Sequence, residues 1–384
     1  MHPIAVAIAA LSLLVWIDLL AARGGFWREP LRLESRRSAP SPARRIVAVI
    51  PARDEADVIG IAVASLLRQR LAGSIHVVVV DDGSRDGTAA AASAAAEALA
   101  ASSRLTVIAG TALPPGWTGK LWALSQGVAA AGAFGPDYLL LTDADIEHAP
   151  ESLERLIACA EASGRDLVSR MVRLSTATLA ERLLIPAFVF FFFMLYPPAW
   201  IASRKSRTAG AAGGCMLVRP QALERIGGLA RVRSRIIDDC ALAGALKAAG
   251  SPISLGLTRD ARSIRSYGSF AGVGRMISRT AFSELEHSYL RLAVALAGLA
   301  VTFVVPPLLL GFGSAPARLL GGSAWLLMSI AYRPMVRFYG FSSLFSALLP
   351  AVAAFYAGAT LHSAIQYRLG RGGQWKSRIQ DQRV

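Results

Sequence analysis

The chain has 384 residues, of which 54% are hydrophobic and 17% are charged, a balance that indicates a membrane protein rather than a plain soluble enzyme. Its net charge is +15, from 41 Lys and Arg against 26 Asp and Glu. Many basic residues lie beside apolar runs instead of being spread with aromatics over a soluble face. We therefore expect an anionic membrane surface as a partner, and no nucleic acid.

The chain begins with an apolar run over residues 4–22, which is long enough to cross a bilayer and is interrupted only by Ser12 and Asp18. No Lys or Arg precedes it, whereas a cleaved signal peptide would carry its positive charge there. The arginines that follow are Arg23, Arg28, Arg32, Arg36, Arg37, Arg44 and Arg45. We therefore predict a retained transmembrane anchor over residues 1–22, a basic linker over 23–44, an outside N-terminus and a central domain in the cytoplasm.

From residue 45 the sequence alternates between strand and helix patterns. Buried strands are predicted at 46–50, 77–80, 105–108 and 138–142, with helices at 56–70, 86–102 and 120–132 between them. This alternation predicts an α/β domain with a mostly parallel sheet and helices on both faces. Ligands of such sheets bind at the carboxyl ends of the strands.

Acidic clusters follow three of these strands. The first strand ends in Pro51-Ala52-Arg53-Asp54-Glu55, the second in Asp81-Asp82-Gly83-Ser84, and the fourth in Asp143-Ala144-Asp145. Asp143 and Asp145 can point to one side, where hard carboxylate oxygens suit Mg²⁺ or Mn²⁺ with a substrate diphosphate. Each cluster can also be read as solvated turn residues, or as helix caps after the second strand.

Three further features lie outside the strand ends. Lys120 begins a helix, where a cation opposes the helix dipole, so it is either a phosphate contact or a solvated side chain. Gly213 and Gly214 permit close approach of a ligand to the backbone, or form a tight turn. Asp238 and Asp239 open a helix; capping explains one of them, and the other can serve as a general base.

Apolar segments return later in the chain. Residues 183–201 are either an interfacial segment or a buried core helix, because one crossing would separate Asp143 from Asp239. Within a predicted membrane region over 289–365, the runs 292–313 and 338–363 are long enough to span, while 319–332 either spans or is re-entrant. A basic tail over 366–384 is predicted to be cytoplasmic.

Taken together, the acidic clusters, Gly213-Gly214 and Asp238-Asp239-Cys240-Ala241-Leu242 resemble the family-2 glycosyltransferases, which have a GT-A nucleotide-binding domain, here over residues 45–285. The segments 116–123 and 372–376 are similar to those of the hopene-associated (HpnB-type) branch. The resemblance implies inverting transfer from a nucleotide sugar, a UDP-sugar being expected, to a membrane lipid such as a hopanoid or sphingolipid. It also implies a bacterial inner membrane location.

The resemblance also implies roles for individual residues. Asp54 and Asp82 would contact the donor nucleoside, and Lys120 would lie near the donor, as would the pair Gly213 and Gly214. Asp143 and Asp145 would hold the metal ion and the diphosphate. Asp239 would be the base, with Asp238 as the adjacent acid.

One segment departs from the family pattern. Processive members carry Q-x-x-R-W after the base, whereas residues 275–280 here contain neither Gln nor Trp. Arg279 would still serve the diphosphate, and the missing Trp favours a single transfer over polymer synthesis. A processive polysaccharide synthase and a non-catalytic nucleotide-sugar-binding protein are the alternatives.

Overall fold

The computed structural model describes residues 2–29, 42–375 and 378–381. Most of the predicted basic linker, including Arg32, Arg36 and Arg37, lies outside these residues, as do Lys376 and Arg383 of the predicted tail.

One eight-stranded mixed sheet forms the centre of the domain, with the strand order β3-β2-β1-β4-β7-β6-β8-β5. The strands are β1 (Arg45–Ala52), β2 (Ser74–Asp81), β3 (Leu105–Ala109), β4 (Tyr138–Leu141), β5 (Ile146–His148), β6 (Leu167–Arg173), β7 (Met216–Val218) and β8 (Ile253–Ser263). Strands β1 to β4 are parallel, as predicted. Strand β7 is antiparallel to both of its neighbours, and β5 is antiparallel to β8, so the second half of the sheet is mixed.

Fifteen helices are assigned within the described residues. They are α1 (His2–Ala21), α2 (Ala56–Leu67), α3 (Thr88–Glu97), α4 (Gly119–Ala131), α5 (Ser152–Ser163), α6 (Leu179–Leu195), α7 (Pro198–Ala202), α8 (Pro220–Arg225), α9 (Asp238–Ala248), α10 (Phe270–Ser278), α11 (Ala281–Glu284), α12 (Tyr289–Leu299), α13 (Val305–Phe312), α14 (Ala315–Phe338) and α15 (Leu349–Arg368). A short hairpin of β9 (Gly372–Trp375) and β10 (Arg378–Asp381) follows.

The sheet is buried on both faces because its central strands are almost entirely apolar. Alternate residues of β1 point to opposite sides: Val47 and Val49 pack with α4 and α6, whereas Ile46 and Ile50 pack with α2 and α5. Helices therefore cover both faces, which is the predicted GT-A-like arrangement. The carboxyl ends of β1, β2 and β4 meet at one edge, where the acidic clusters follow them.

Helix α6 lies in the region predicted to be interfacial or buried. Its start is fixed by Thr178, whose hydroxyl accepts from the Glu181 amide while the Glu181 carboxylate accepts from the Thr178 amide. Phe190 packs edge-on against Tyr332 of α14, and most of the helix is buried inside the protein. These contacts favour the buried-core alternative.

Three helical stretches are long and apolar enough to cross a membrane: Pro3–Ala21, Tyr289–Phe312 and Ser343–Arg368. The last begins later than the predicted residue 338, because α14 ends at Phe338 and Gly340 turns the chain with a φ of 84°. Residues 319–332 form the middle of α14, which has 24 residues and was expected to be shorter. Helix α1 contacts the second of these stretches, since the Trp16 indole donates to the Thr302 carbonyl at 2.8 Å.

Candidate active site

The loops after β1 and β2 are locked together by polar contacts. The Arg53 guanidinium donates to the Asp82 carbonyl at 2.6 Å and lies 3.4 Å from the Asp82 carboxylate. Asp54 has a φ of 50°, and its amide donates to the Ser84 hydroxyl at 2.9 Å. The Arg85 amide donates to the Asp54 carboxylate at 3.0 Å. Asp54 and Asp82 therefore help to hold the two loops together, and their contact with a nucleoside stays a prediction.

Lys120 links two of the predicted acidic clusters. Its Nζ lies 2.8 Å from Asp143 Oδ1 and 3.4 Å from Asp238 Oδ2. Two residues before Lys120, the Thr118 amide donates a hydrogen bond to the Arg233 carbonyl at 2.8 Å. This bond holds the start of α4 beside the loop before α9. Burial acts to lower the pKa of Lys120, but the charges of Asp143 and Asp238 outweigh burial and raise that pKa. The lysine is therefore a fixed cation, and the neighbouring carboxylates explain its place at a helix N-terminus.

Asp145 stands on the other side of Asp143. Its Oδ2 accepts from the Ser263 hydroxyl at 2.6 Å and lies 3.6 Å from Arg265 Nε. Arg265 also pairs with Glu55 from the loop after β1. Burial, followed by the charge of Asp143, raises the pKa of Asp145. Negative charge is thus concentrated at this pair of carboxylates, as it is at sites that attract a cation.

Asp239 is held by two backbone amides. Its Oδ2 accepts from the Gly213 amide at 2.8 Å, and its Oδ1 accepts from the Cys240 amide at 2.7 Å. Burial first, and the charge of Asp238 second, raise the pKa of Asp239 to about 6, although Lys120 acts in the opposite direction. A carboxylate tuned in this way is suited to accept a proton near neutral pH.

The two glycines are required by close packing around this carboxylate. A Cβ at Gly213 would lie 3.2 Å from Lys120 Nζ and 3.4 Å from Asp239 Oδ2. A Cβ at Gly214 would meet Val172 at 3.2 Å, and the Gly214 carbonyl accepts from the Thr142 hydroxyl at 2.7 Å. The glycine pair therefore brings Asp239, Lys120 and the end of β4 together.

Arg279 lies at the margin of the site. Its side chain is exposed, and its charge opposes the effects of burial and of Asp145, which raise the pKa of Tyr267. Arg279 and Asp145 thus both act on the Tyr267 phenol, and contact of Arg279 with a diphosphate stays a prediction.

Several residues of the site were missed by the sequence reasoning. Arg265 and Tyr267 follow β8, and Glu181 fastens their loop by accepting from the Ser266 hydroxyl at 2.8 Å and from the Tyr267 amide at 2.5 Å. Strand β8 was not predicted, because Gly256 and the charged pair Arg259 and Asp260 interrupt its apolar pattern. Recognising the strand would have directed attention to the polar run at its end.

A second group that sequence reasoning missed lies on the far side of Asp239. Tyr196, just beyond the end of α6, donates its hydroxyl to the exposed Glu284 carboxylate. Burial and then the charge of Cys240, which follows Asp239 in α9, raise the pKa of Tyr196. The polar tip of an otherwise apolar helix therefore lies next to Asp239. The apolar pattern of residues 183–201 predicts an interfacial or buried segment and does not suggest that Tyr196 lies at the site.

The donor set at Asp143 and Asp145 is compatible with a divalent cation. Within the part of the chain that the structure describes, no group of three or more His, Cys, Asp and Glu side chains forms a complete protein cage. Mg²⁺ and Mn²⁺ do not need one, because they bind through one or two carboxylates together with substrate phosphates. Asp143 and Asp145, two residues apart just after β4, supply that number of carboxylates.

Comparisons with known proteins bear on the family and on the fold of the domain. Residues 47–227 match the family described as Glycosyl transferase family 2, and this part of the chain is a domain of that family. A search of curated protein sequences found no match.

Among solved structures, a mannosyltransferase from Pyrobaculum calidifontis, in complex with GDP-Man and Mn²⁺, is similar over 94% of this chain and 98% of its own, with 18% identity and a TM-score of 0.55. This likeness shows a shared GT-A-like fold. Glucosyl-3-phosphoglycerate synthase from Mycobacterium tuberculosis is similar over 63% of this chain and 79% of its own, with 16% identity and a TM-score of 0.39.

Proposed function

We propose that the chain is an inverting, metal-dependent glycosyltransferase that moves one sugar from a nucleoside diphosphate sugar to a membrane lipid. The observation that carries this proposal is the convergence of Asp143, Lys120, Asp238 and Asp239 within a family-2 domain. A protein that only bound the donor would have no need of a carboxylate with a pKa of about 6.

The donor diphosphate is proposed to lie at the carboxyl ends of β1 and β4. Asp143 and Asp145 would hold Mg²⁺ or Mn²⁺, which would neutralise charge on the departing diphosphate. Lys120 and Arg265 are the cations nearest to these carboxylates and would orient phosphate oxygens. Asp54 and Asp82 would contact the nucleoside. The two solved relatives bind different nucleotides, since one complex contains GDP-Man and another contains UDP-Glc, so both are donor candidates.

Asp239 is proposed to act on the acceptor. Its carboxylate would take the proton from an acceptor hydroxyl, whose oxygen forms a bond to the anomeric carbon as the bond from that carbon to the diphosphate breaks. The products would be a glycoside with inverted configuration and a nucleoside diphosphate. Asp238 lies beside Lys120 and raises the pKa of Asp239, so its proposed part is to position the lysine and tune the base.

A lipid acceptor is supported by the surroundings of Asp239. Tyr196 directly follows the last residue of the buried helix α6. The chain also has three helical stretches that are long and apolar enough to cross a membrane. Tyr196 and Glu284 would bind the polar head of the acceptor while its apolar part stays in the bilayer. Polycyclic hopanoid-like and sphingolipid-like alcohols are the proposed acceptors, at the cytoplasmic face of the membrane.

The experiment uses full-length protein reconstituted with a lipid extract, Mn²⁺ or Mg²⁺, and labelled UDP- or GDP-sugars. We expect mass spectrometry to detect a lipid whose mass has increased by one hexose or one N-acetylhexosamine. Long sugar chains would instead identify a processive synthase. Donor binding without turnover on any extract would identify a nucleotide-sugar-binding protein that is not an enzyme.

A further inference from the structure

A short basic loop follows α7. Its sequence is Ser203-Arg204-Lys205-Ser206-Arg207, and its three cationic side chains are exposed. Among the residues that the structure describes, no carboxylate forms an ion pair with any of these three cations. Three uncompensated charges within five residues attract an anionic partner, and the position of the loop indicates which partner.

The basic loop lies next to the point where the anchor ends. Arg23 is two residues beyond the end of α1, and its Nε donates to the Met194 carbonyl at 2.9 Å. The same guanidinium lies over the ring of Trp200, 4.8 Å from its centroid. Helix α1 is long and apolar enough to span a membrane, and in that arrangement Trp200 and the loop three residues after it would lie at the level where the helix leaves the bilayer.

A cavity of about 500 Å³ opens beneath the basic loop. Its polar lining comes from Arg204, Arg207, Lys247 and three serines, and no Asp or Glu lines it. Lys247 donates to the Trp200 and Ile201 carbonyls at 3.0 and 2.8 Å and also to the Thr208 carbonyl. The Lys247 ammonium therefore binds the backbone on both sides of the loop and restrains the loop that carries Arg204 and Arg207.

The floor of the cavity also lacks a negative charge. Arg165 donates to the carbonyls of two lining residues, Ala202 at 3.0 Å and Ile253 at 3.2 Å. Its Nε is buried and makes no hydrogen bond to any residue in the described part of the chain. The adjacent carboxylate, Asp166, pairs with Arg225 instead. Asp166 lies beside the cavity, since its amide donates to the Pro252 carbonyl, but it is paired with Arg219 and Arg225 and not with Arg204 or Arg207.

We infer that this cavity binds the phosphate headgroup of an anionic phospholipid from the leaflet in which the anchor ends. The planar guanidinium groups of Arg204 and Arg207 match phosphate oxygens, and basic pockets beside membrane helices bind such headgroups. A volume of about 500 Å³ accommodates a phosphate with its glycerol. Bound in this way, the lipid fixes the domain against the membrane surface.

The cavity is separate from the proposed catalytic site. Asp238 and Asp239 open α9, whereas Lys247 lies near its other end, roughly 14 Å away at 1.5 Å per residue. Substitutions in the basic loop therefore test lipid binding without touching Asp239. A binding measurement also gives a result that does not depend on whether the protein transfers sugar.

The test measures lipid binding to the full-length protein in mild detergent by native mass spectrometry. Phosphatidylglycerol, phosphatidylcholine and inorganic phosphate are the three probes. We expect one phosphatidylglycerol to bind to the wild type and at least about tenfold weaker binding to the double variant Arg204→Gln with Arg207→Gln, since each surface cation contributes about 1 kcal/mol. The charge-preserving pair Arg204→Lys with Arg207→Lys is expected to retain most of the affinity.

The matched control is Arg104→Gln. Arg104 is exposed and directly precedes the edge strand β3, whereas β8 and β5 lie at the other end of the sheet. This variant is expected to bind phosphatidylglycerol as the wild type does. Unchanged lipid binding by the double Gln variant would overturn the inference, as would equal binding of phosphatidylcholine. Inorganic phosphate that binds as tightly as the lipid would show instead a site for a soluble anion.

Discussion

The two sides of the acidic site differ in how their negative charge is compensated. On the strand side, three carboxylates have a nearby cation: Arg53 for Asp82, Lys120 for Asp143, and Arg265 for Asp145. On the helix side, Asp239 accepts two backbone amides, and its pKa is raised to about 6. The strand side is therefore suited to hold a charged diphosphate, whereas the helix side is suited to exchange a proton.

This difference shows how one cluster of like charges can serve two purposes. Lys120 lies between the sides, touching Asp143 on one and Asp238 on the other. Its cation lowers the pKa of Asp239, while Asp238 and burial raise that pKa. The proton affinity of Asp239 is thus set by the residues that separate it from the strand-side acids.

The largest expected effect comes from removing the base. We expect Asp239→Asn to lower kcat by about 1000-fold, within the range of roughly 10²–10⁴ contributed by general base catalysis. Donor binding is expected to survive, because the donor is proposed to lie on the strand side. Transfer assays and calorimetry with a nucleoside diphosphate and Mn²⁺ measure the two properties separately.

The control for this variant is Glu97→Gln, which alters an exposed carboxylate at the end of α3. Its transfer rate is expected to match that of the wild type. If Asp239→Asn transferred sugar at the wild-type rate, the distinction between the two sides would be wrong.

The next effect concerns the metal on the strand side. Loss of a residue that supports a metal ligand typically weakens metal binding by roughly 10- to 100-fold, and we expect Ser263→Ala to weaken Mn²⁺ binding within that range. We expect Asp145→Asn, which removes a proposed ligand itself, to weaken Mn²⁺ binding by more than that. The Ser263 hydroxyl donates to Asp145 at 2.6 Å, so its loss leaves the carboxylate less well oriented. Electron paramagnetic resonance of Mn²⁺ in the presence of a nucleoside diphosphate measures both variants. Wild-type Mn²⁺ affinity in Asp145→Asn would place the metal elsewhere.

A third prediction concerns the acid limb of the pH–rate profile. Because Asp239 must be deprotonated to act, kcat/KM is expected to fall below a pH of about 6 in the wild type. Lys120→Met removes a cation that lowers the pKa of Asp239, so the limb is expected to move to higher pH. At a fixed pH on this acid limb, kcat/KM is expected to fall about tenfold for each unit by which the pKa of Asp239 rises.

The comparison for this profile is Arg104→Met, which removes an exposed cation far from the site. Its acid limb is expected to coincide with that of the wild type. A limb that stayed in place in Lys120→Met would mean that the lysine does not act on the base.

The smallest effect is expected at the glycine between the two sides. A Cβ at Gly213 would lie 3.2 Å from Lys120 Nζ, so the lysine must shift by a few tenths of an ångström, and it would touch Asp239 Oδ2 at 3.4 Å. We expect Gly213→Ala to lower kcat by about three- to tenfold, since small misplacements of reacting groups slow catalysis. Gly358→Ala, where a Cβ meets nothing within 4 Å, is the control. Equal rates in both variants would show that close packing at Gly213 is not required.

The sequence predicted the strand side of the site better than the helix side. Asp143 and Asp145 directly follow an apolar strand, so their position at the sheet edge could be inferred from chain order alone. Tyr196 and Arg265 could not be inferred, because they approach the site through the packing of α6 and through the unrecognised strand β8. The length of α14 was also underestimated, since its arginines interrupt the apolar pattern while the helix continues.

The central claim is that one site transfers sugar by a single displacement in which Asp239 takes the acceptor proton. The most direct test is the anomeric configuration of the glycolipid formed from an α-linked nucleotide sugar, determined by nuclear magnetic resonance. A β-linked product is expected, because direct attack by the acceptor inverts the anomeric carbon. An α-linked product would contradict it.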